Sequence, residues 1–476
     1  MAPMSPLTPL AVAAGKVVGE LSRRLRLGGG TTMPGSVARR LAPNVLRELS
    51  AALPHGAILI TGTNGKTTTS RMLAEILTAS GERVLHNRAG ANLIAGLTAT
   101  AVKNADWRGR PRATIGLFET DEAAVPQALA ELRPRLVVIH NLFRDQLDRY
   151  GEVDTIAAAW RAALAELPPE SHVLLNADDP AVADLGTNLR ASVSYYGLDD
   201  GRHATGAASH IADSQFCRRC GSRYVFSLAF YAHIGHYRCP SCGHSRPRPE
   251  VRLARLELQG TTGSRLYLLY PGGAIEVDLP LPGLYNAANA TAAVAAALAL
   301  GVPASAARSA LERFSAAFGR IERVSAGPDG PPMLIALIKN PVGASETVRM
   351  LVGAAAPPAA DSQAPALHML IAINDKFADG TDVSWLWDAD FEPLAGQLAG
   401  AVVSGTRADD MAVRLKYAGV PEAAITVEPD LGNAVDVALA ALPPGATLYV
   451  LPTYTAMLEL RADLSRRGWV KQFWEE

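Results

Sequence analysis

Thr61-Gly62-Thr63-Asn64-Gly65-Lys66-Thr67-Thr68 lies between an apolar β-type run, Ala57–Ile60, and a segment, Thr67–Ser80, in which Met72, Leu73, Ile76 and Leu77 recur at helical spacing. Strand, glycine-bearing loop and helix in that order make an anion site, because the loop N–H groups and the helix N-terminus face one concavity. A lysine there supplies positive charge for β- and γ-phosphates, and the Thr67 hydroxyl suits Mg²⁺. Gly62, Thr63, Asn64, Gly65, Lys66, Thr67 and Thr68 are therefore the candidate nucleotide-binding residues. The general phosphate-loop pattern is incomplete, because the position five before Gly65 is Ile60 and not glycine. The alternative, a tight turn with a surface lysine, does not account for the strand-loop-helix context.

Short apolar runs recur at Ala113–Phe118, Leu136–Ile139 and Val173–Leu175, each followed at once by polar residues. This predicts a parallel sheet with helical crossovers and ligands beyond the carboxyl ends of the strands. Glu119 directly follows one such strand, close to the phosphate loop, and Mg²⁺ prefers oxygen ligands of this type. Asp121 and Glu122 come next; such acids also suit the positive end of a following helix. Thr67, Glu119 and Glu122 are the candidate Mg²⁺ ligands, and Glu119 is also a candidate catalytic residue.

The 476 residues carry 45 Lys+Arg against 46 Asp+Glu, with 49% hydrophobic and 19% charged residues. That composition predicts a folded protein of two or three domains and excludes disorder and collagen-like repeats. A net charge of −1 gives no global drive toward nucleic acid or anionic lipid, so any such partner needs a specific site. No apolar run is long enough to span a bilayer: Ala287–Leu300 carries Asn289 and Thr291 and reads as a buried helix. The apolar stretch Pro9–Leu21 has no preceding positive charge and is interrupted by Lys16 and Glu20, unlike a secretory signal. A cytoplasmic location is expected.

Residues 1–50 comprise an amphipathic helical stretch, Leu10–Leu25, and a glycine-rich run, Gly28–Gly35, expected to be irregular. A central α/β domain is expected over residues 51–326, interrupted at 204–249 by an inserted module. The break Gly327–Pro332 is read as the boundary with a second α/β domain at 327–476, in which Leu334–Ile338, Met369–Ile373, Ala401–Val403 and Leu448–Leu451 alternate with helical segments such as Ala408–Tyr417. Gly353–Pro365 reads as a surface loop. The inserted module holds all four cysteines. Cys217, Cys220, Cys239 and Cys242 form two C-x₂-C pairs separated by eighteen residues, the spacing of a structural zinc ribbon. Two disulfides are the alternative, disfavoured by a cytoplasmic location. With every cysteine on the metal, none remains as a nucleophile, and the chain cannot itself run cysteine-dependent glutamine hydrolysis.

Taken together, T-G-T-N-G-K-T-T, the acids at Glu119–Glu122, N-L-F-R-D-Q-L-D-R-Y-G-E from Asn141, N-A-D-D-P from Asn176, G-L-Y-N-A-A-N-A from Gly283 and G-R-I-E from Gly319 resemble the Mur ligase family, in the family's order over most of the chain. The four-cysteine insertion, Lys339-Asn340-Pro341, the stretch from Asn374 to Trp385 and Leu451–Thr455 are similar more specifically to its MurT branch, subunits of lipid II isoglutaminyl synthases. The implied fold is α/β: a Mur ligase-like central P-loop ATPase domain with an inserted four-cysteine zinc ribbon, plus a C-terminal Rossmann-like α/β domain. The resemblance implies that Lys66 and Thr67 hold ATP phosphates and Mg²⁺, that Glu119 helps hold the metal, that Asn286 or Asn289 lies near the adenine, and that Arg320 is a further nucleotide contact. The implied reaction is ATP-dependent amidation, through an acyl phosphate, of the D-glutamate α-carboxylate in the lipid II stem peptide to D-isoglutamine. Ammonia would come from a GatD-type glutamine amidotransferase partner, and the reaction would run at the inner face of the cell membrane. An aspartate of the C-terminal domain, Asp382 first and Asp388 second, is implied to orient the partner's catalytic imidazole; a polar loop with turn-forming aspartates is the alternative.

The chain departs from the general Mur ligases in three respects. Asp145-Gln146-Leu147-Asp148 stands where they carry D-H-[LM]-D, and no lysine occurs between Lys103 and Lys339 to be carbamoylated, so their second Mg²⁺ site is not expected. The first fifty residues are short for a UDP-binding domain, which favours an acceptor already transferred to lipid. Two other classes remain open: a stand-alone ligase joining an amino acid to a carboxylate, as in folylpolyglutamate synthase, and a nucleotide-regulated binding protein that docks through its ribbon.

Overall fold

The structure is a computed structural model describing residues 5–24, 32–87, 91–144, 153–205, 213–315, 320–355 and 367–470. Its organising strand, Ala57–Thr61 (β1), is buried at every position, as befits a strand with neighbours on both edges and helices on both faces. β1 pairs in parallel with Ile115–Glu119 (β3) and Leu136–Ile139 (β4). Val84–His86 (β2) lies beyond β3, and His172–Asn176 (β5), Ser192–Leu198 (β6) and Val251–Gln259 (β9) lie beyond β4, all parallel. Gly263–Tyr270 (β10) and Gly273–Leu279 (β11) complete that side as antiparallel strands. The order β11-β10-β9-β6-β5-β4-β1-β3-β2 reverses direction at β1, and open α/β sheets bind ligands where the order reverses.

One face of this sheet packs against the helices Lys66–Ala79 and Leu284–Ala299, with Ile58, Ile60, Leu73 and Ile76 fully buried between them. The other face carries the helices Leu7–Arg24, Val45–Ala51, Ile94–Asn104 and Val125–Leu132, whose Val12, Leu46, Leu97 and Val125 share a core with Leu59 and Val137. The run expected to be irregular up to Gly35 differs. Met33-Pro34-Gly35 opens the helix Met33–Leu41, because proline suits a first turn and Gly35 sits where a Cβ would lie 1.9 Å from the Ala95 carbonyl oxygen.

Arg320–Ser325 (β12), Pro332–Ala336 (β13), Leu367–Ala372 (β14), Leu398–Ser404 (β15), Ile425–Val427 (β16) and Leu448–Pro452 (β17) form a second sheet, ordered β12-β13-β17-β14-β15-β16 and parallel except at β12. Gly327–Pro332, expected to separate the domains, is instead the turn of the β12–β13 hairpin. The change of sheet falls earlier, after the helix Ala304–Glu312, because Gly/Pro composition marks a tight turn as readily as a linker. Gly353-Ala354-Ala355 complete the helix Pro341–Ala355; the remainder of that expected loop lies outside the described residues.

Between β6 and β9 the inserted module contributes an antiparallel hairpin, Val225–Tyr231 (β7) and Ile234–Arg238 (β8). Among the described residues, no helix is long and apolar enough to cross a membrane.

Candidate nucleotide and metal sites

Gly65 immediately precedes the helix Lys66–Ala79 with φ +86°, and a Cβ there would lie 2.1 Å from Asn289 Oδ1. Only glycine meets both demands. The loop is held from the end of β4: Asn64 N–H donates to Asn141 Oδ1 (2.8 Å), Asn141 Nδ2 returns a bond to the Asn64 carbonyl (3.1 Å), and Thr63 N–H donates to the Asn141 carbonyl (3.0 Å). Under the loop, His140 Nδ1 lies 2.9 Å from the Tyr196 hydroxyl. Burial and then the Lys66 charge push the imidazole down to about 3, so it stays neutral.

Lys66 Nζ donates to Glu122 Oε1 at 2.9 Å, with both side chains buried. The Thr67 hydroxyl donates to Glu119 Oε1 at 2.9 Å. Asn87 grips the Glu119 backbone on both sides, accepting from its N–H (2.9 Å) and donating to its carbonyl (2.8 Å). The structure thus brings Thr67 and Glu119 together, while Glu122 serves the ammonium of Lys66, because a buried cation needs a counter-charge. A hydroxyl and one carboxylate beside a phosphate loop fit Mg²⁺, which takes few protein ligands and fills its shell with phosphate oxygens and water.

The loop opens onto a cleft of about 840 Å³, counting the solvent at its mouth, between the two sheets. Gly65, Thr68, Asn286 and Asn289 line one wall, and Lys339, Val342, Glu346 and Thr347 the other. Asn286 turns its amide back to the Pro282 carbonyl (2.8 Å). Asn340 Nδ2 donates to Asn64 Oδ1 (2.9 Å), and Asn340 Oδ1 accepts from Gly343 N–H (2.9 Å), so one amide caps the helix Pro341–Ala355 and ties it to the phosphate loop. Burial lifts the Glu346 carboxyl to about 7, although the Arg349 guanidinium at 3.1 Å opposes the shift. Neither Asn141 nor Glu346 was among the candidate residues. An Asn-Pro pair at a helix start was the signal available for Asn340.

In the inserted module the four cysteine sulfurs lie within 4.8 Å of one another. Cys217 and Cys242 are 3.6 Å apart, and Cys220 and Cys239 3.4 Å, far from bonded disulfide distance but near the ~3.8 Å sulfur separation of a tetrahedral Zn²⁺ site. Each C-x₂-C pair is followed by glycine, Gly221 and Gly243, with φ +74° and +76°. Gly221 N–H donates to the Cys217 carbonyl (2.7 Å) and Gly243 N–H to the Cys239 carbonyl (3.1 Å), two matching knuckles. The residues fit zinc.

Sequence reasoning missed where the hairpin tip goes. Ala232, φ +46°, and His233 make its turn; His233 is fully buried 4.7 Å from the Phe143 ring, and Tyr231 lines the nucleotide cleft. The N-A-D-D-P stretch holds this arrangement. Asp178 accepts from Arg246 Nε (2.7 Å) and Leu198 N–H (2.7 Å), while Asp179 accepts from Leu142 N–H (2.9 Å) and faces His233 Nε2 at 3.2 Å. From the second sheet, Arg349 donates to the Phe230 carbonyl (2.7 Å).

Beyond β14, Asn374 donates to the Thr455 hydroxyl (3.0 Å), and buried Asp379 accepts from Thr455 N–H (2.7 Å), tying the ends of β14 and β17 together. Asp382 is exposed and accepts from Ser384 N–H (2.8 Å); Asp388 is half-buried at the end of the short helix Trp385–Asp388. Neither lines the nucleotide cleft. Arg320 begins β12, but its side chain is outside the described residues, as are Gly319 and the whole of Asp145–Asp148.

A phosphate loop at the reversal of a mostly parallel sheet, facing a second α/β sheet across a cleft, defines a nucleotide-dependent ligase of the Mur type. Residues 60–297 match the Mur ligase middle domain and residues 337–457 the MurT ligase C-terminal domain. The MurT subunit of the glutamine-hydrolyzing lipid II isoglutaminyl synthase of Staphylococcus aureus (strain N315) is 32% identical over 461 residues, 97% of each chain. That of Streptococcus pneumoniae (strain ATCC BAA-255 / R6) is 33% identical over 449 residues, 94% of this chain and 95% of the other. Among solved structures, a pseudomurein peptide ligase type C from Methanothermus fervidus superposes with a TM-score of 0.65 at 21% identity, covering 86% of this chain and 78% of that one. The folylpolyglutamate synthase of Mycobacterium tuberculosis, complexed with ADP and AMPPCP, gives 0.59 at 18%, covering 97% and 100%; at such identities the likeness is one of fold. The chain belongs to the Mur ligase family and, within it, to the MurT branch, ATP-dependent ligases by family.

Proposed function

We propose that this chain amidates the α-carboxylate of D-glutamate in the lipid II stem peptide, giving D-isoglutamine. The observation that carries the reading is the likeness, along 97% of the chain, to a subunit named for a glutamine-hydrolyzing lipid II isoglutaminyl synthase. The γ-phosphoryl group of ATP passes to a carboxylate oxygen, leaving ADP and an acyl phosphate. Ammonia attacks the acyl carbon, the bond to the phosphate oxygen breaks, and amide, phosphate and a proton result. Positioning and electrostatics do most of the work in such a transfer. The loop from Gly62 to Thr68 cradles the phosphates, with Lys66 leaving Glu122 for the γ-phosphate. Thr67 and Glu119 are the residues that would hold Mg²⁺, which would supply positive charge against the phosphate oxygens.

The chain's four cysteines all belong to one cluster, so the thiol that hydrolyses glutamine belongs to a GatD-type partner. Asp382 is our choice for the carboxylate that orients the partner's imidazole, with Asp388 second: Asp379 is occupied by Thr455, whereas Asp382 is exposed on a loop flanked by the exposed aromatics Phe377 and Trp387. The test is mass spectrometry of lipid II incubated with this chain, Mg-ATP and ammonium, then with glutamine and a co-purified amidotransferase. An acid-to-amide mass change that needs ATP and is lost in Lys66→Ala is expected. ATP consumption with a free amino acid, lipid II remaining unchanged, would instead make this a stand-alone ligase.

A further inference from the structure

The N-terminal helix Leu7–Arg24 buries a narrow face and leaves larger apolar side chains outside. Thr8, Ala11, Val12 and Gly15 are buried, and a Cβ on Gly15 would lie 2.9 Å from the Pro34 carbonyl oxygen. The outward face carries leucines and a valine. Leu7, Leu10, Val17 and Leu21 are 51%, 59%, 51% and 51% exposed, and their spacing of three, seven and four residues keeps them on one stripe. A stripe of this kind, uncovered by any of the described residues, marks an interaction surface.

What flanks the stripe identifies the occupant. Lys16 Nζ sits 5.4 Å over the ring of Trp107, and donates to the Lys103 carbonyl (3.4 Å), so the loop Trp107-Arg108-Gly109-Arg110-Pro111-Arg112 is fastened beside the helix. Trp107 is 60% exposed, and Lys103, Arg108, Arg110 and Arg112 are exposed as well. The neighbouring carboxylate, Asp106, is engaged by Arg108 N–H and Arg110 N–H, both at 2.8 Å. In a chain of formal charge −1 this is a local concentration of base around an apolar stripe. Exposed leucines to enter the acyl boundary, a tryptophan for the interface and arginines for phosphate headgroups are the complement of an anionic bilayer surface.

We propose that the outer face of Leu7–Arg24, with the loop Trp107–Arg112, docks this protein onto an anionic lipid surface. A lipid-linked acceptor gives such docking its purpose and rests on the reading above, but vesicles free of lipid II test the docking by itself. The full chain is sedimented with vesicles of phosphatidylglycerol and phosphatidylcholine, and with phosphatidylcholine alone. Binding to the anionic vesicles that weakens with salt is expected. The double substitution Leu10→Glu, Val17→Glu should lower the partition coefficient at least tenfold, and Arg108→Glu, Arg110→Glu should remove the preference for anionic lipid. Thermal melting and ATP binding should stay at the wild-type values, since these side chains are exposed and outside the nucleotide cleft. Absence of binding at low salt, or unaltered binding by Leu10→Glu, Val17→Glu, overturns the proposal. So does a concentration-dependent dimer dissociated by that variant, which would assign the stripe to a second copy of the chain.

Discussion

His233 Nε2 lies 3.2 Å from Asp179 Oδ2 at a point where neither side chain is exposed, and this contact joins the tip of the zinc ribbon to the floor of the nucleotide site. Burial works to raise the Asp179 carboxyl, but His233 and the N–H groups of Leu142 and Val182 bring it below the ordinary value. A carboxylate lowered in the folded state stabilises above its unfolded pKa, and that contribution is lost as pH falls through the lower folded value.

His233→Ala should therefore take one hydrogen-bond partner from a buried carboxylate that keeps its backbone N–H donors, at a cost of about 2 kcal/mol. Urea unfolding at pH 7 is the measurement, with Asp179→Asn as the companion variant. The gap between wild type and Asp179→Asn should narrow as the pH is taken below the carboxylate range.

Lys66→Ala should abolish ATP turnover and also destabilise the nucleotide-free protein, because it removes the ammonium that lies 2.9 Å from buried Glu122. The double substitution Lys66→Ala, Glu122→Gln should recover most of the lost melting temperature and none of the activity. Melting with and without Mg-ATP checks both, since a ligand that binds only the folded state raises the transition.

Chelation of zinc, or Cys220→Ser, should expose reactive thiols and lower the melting temperature. Because Tyr231 lines the cleft at the far end of the same hairpin, ATP affinity should fall together with metal content. Thiol titration, metal analysis and calorimetric ATP binding on one preparation would show whether the two losses coincide.

Glu346 works in the opposite sense to Asp179. Its carboxyl is raised from 4.5 to about 7, first by burial, so its contribution is complete below the unfolded value and lost as pH rises through about 7. Glu346→Gln should gain stability relative to wild type on going from pH 5 to pH 8, on the order of 3 kcal/mol at most. Paired denaturation curves at the two pH values decide it.

Much of the architecture was legible locally. The run Ala57–Ile60, the glycine loop and the helical repeat of Met72, Leu73, Ile76 and Leu77 announce their elements, because burial on both faces leaves an apolar strand and burial on one leaves a 3.6-residue period. The Thr67–Glu119 contact could be expected, since parallel strands present their carboxyl ends together. The helix at Met33 could not, because its glycine answers a contact with Ala95 sixty residues away. Nor could the β12–β13 turn be told from a linker by composition.

The sequence by itself determined the phosphate loop, the sheet class and the four-cysteine spacing, all features in which neighbouring residues decide their own conformation. Only the tertiary structure decided that Glu122 serves Lys66, that Asn340 of the second sheet caps its own helix while holding Asn64, and that the ribbon's tip enters the cleft. It likewise decided which face of Leu7–Arg24 looks outward. Those outcomes depend on burial and charge compensation between segments far apart in the chain, and no local pattern encodes which distant partner will neutralise a buried charge or cover an apolar stripe.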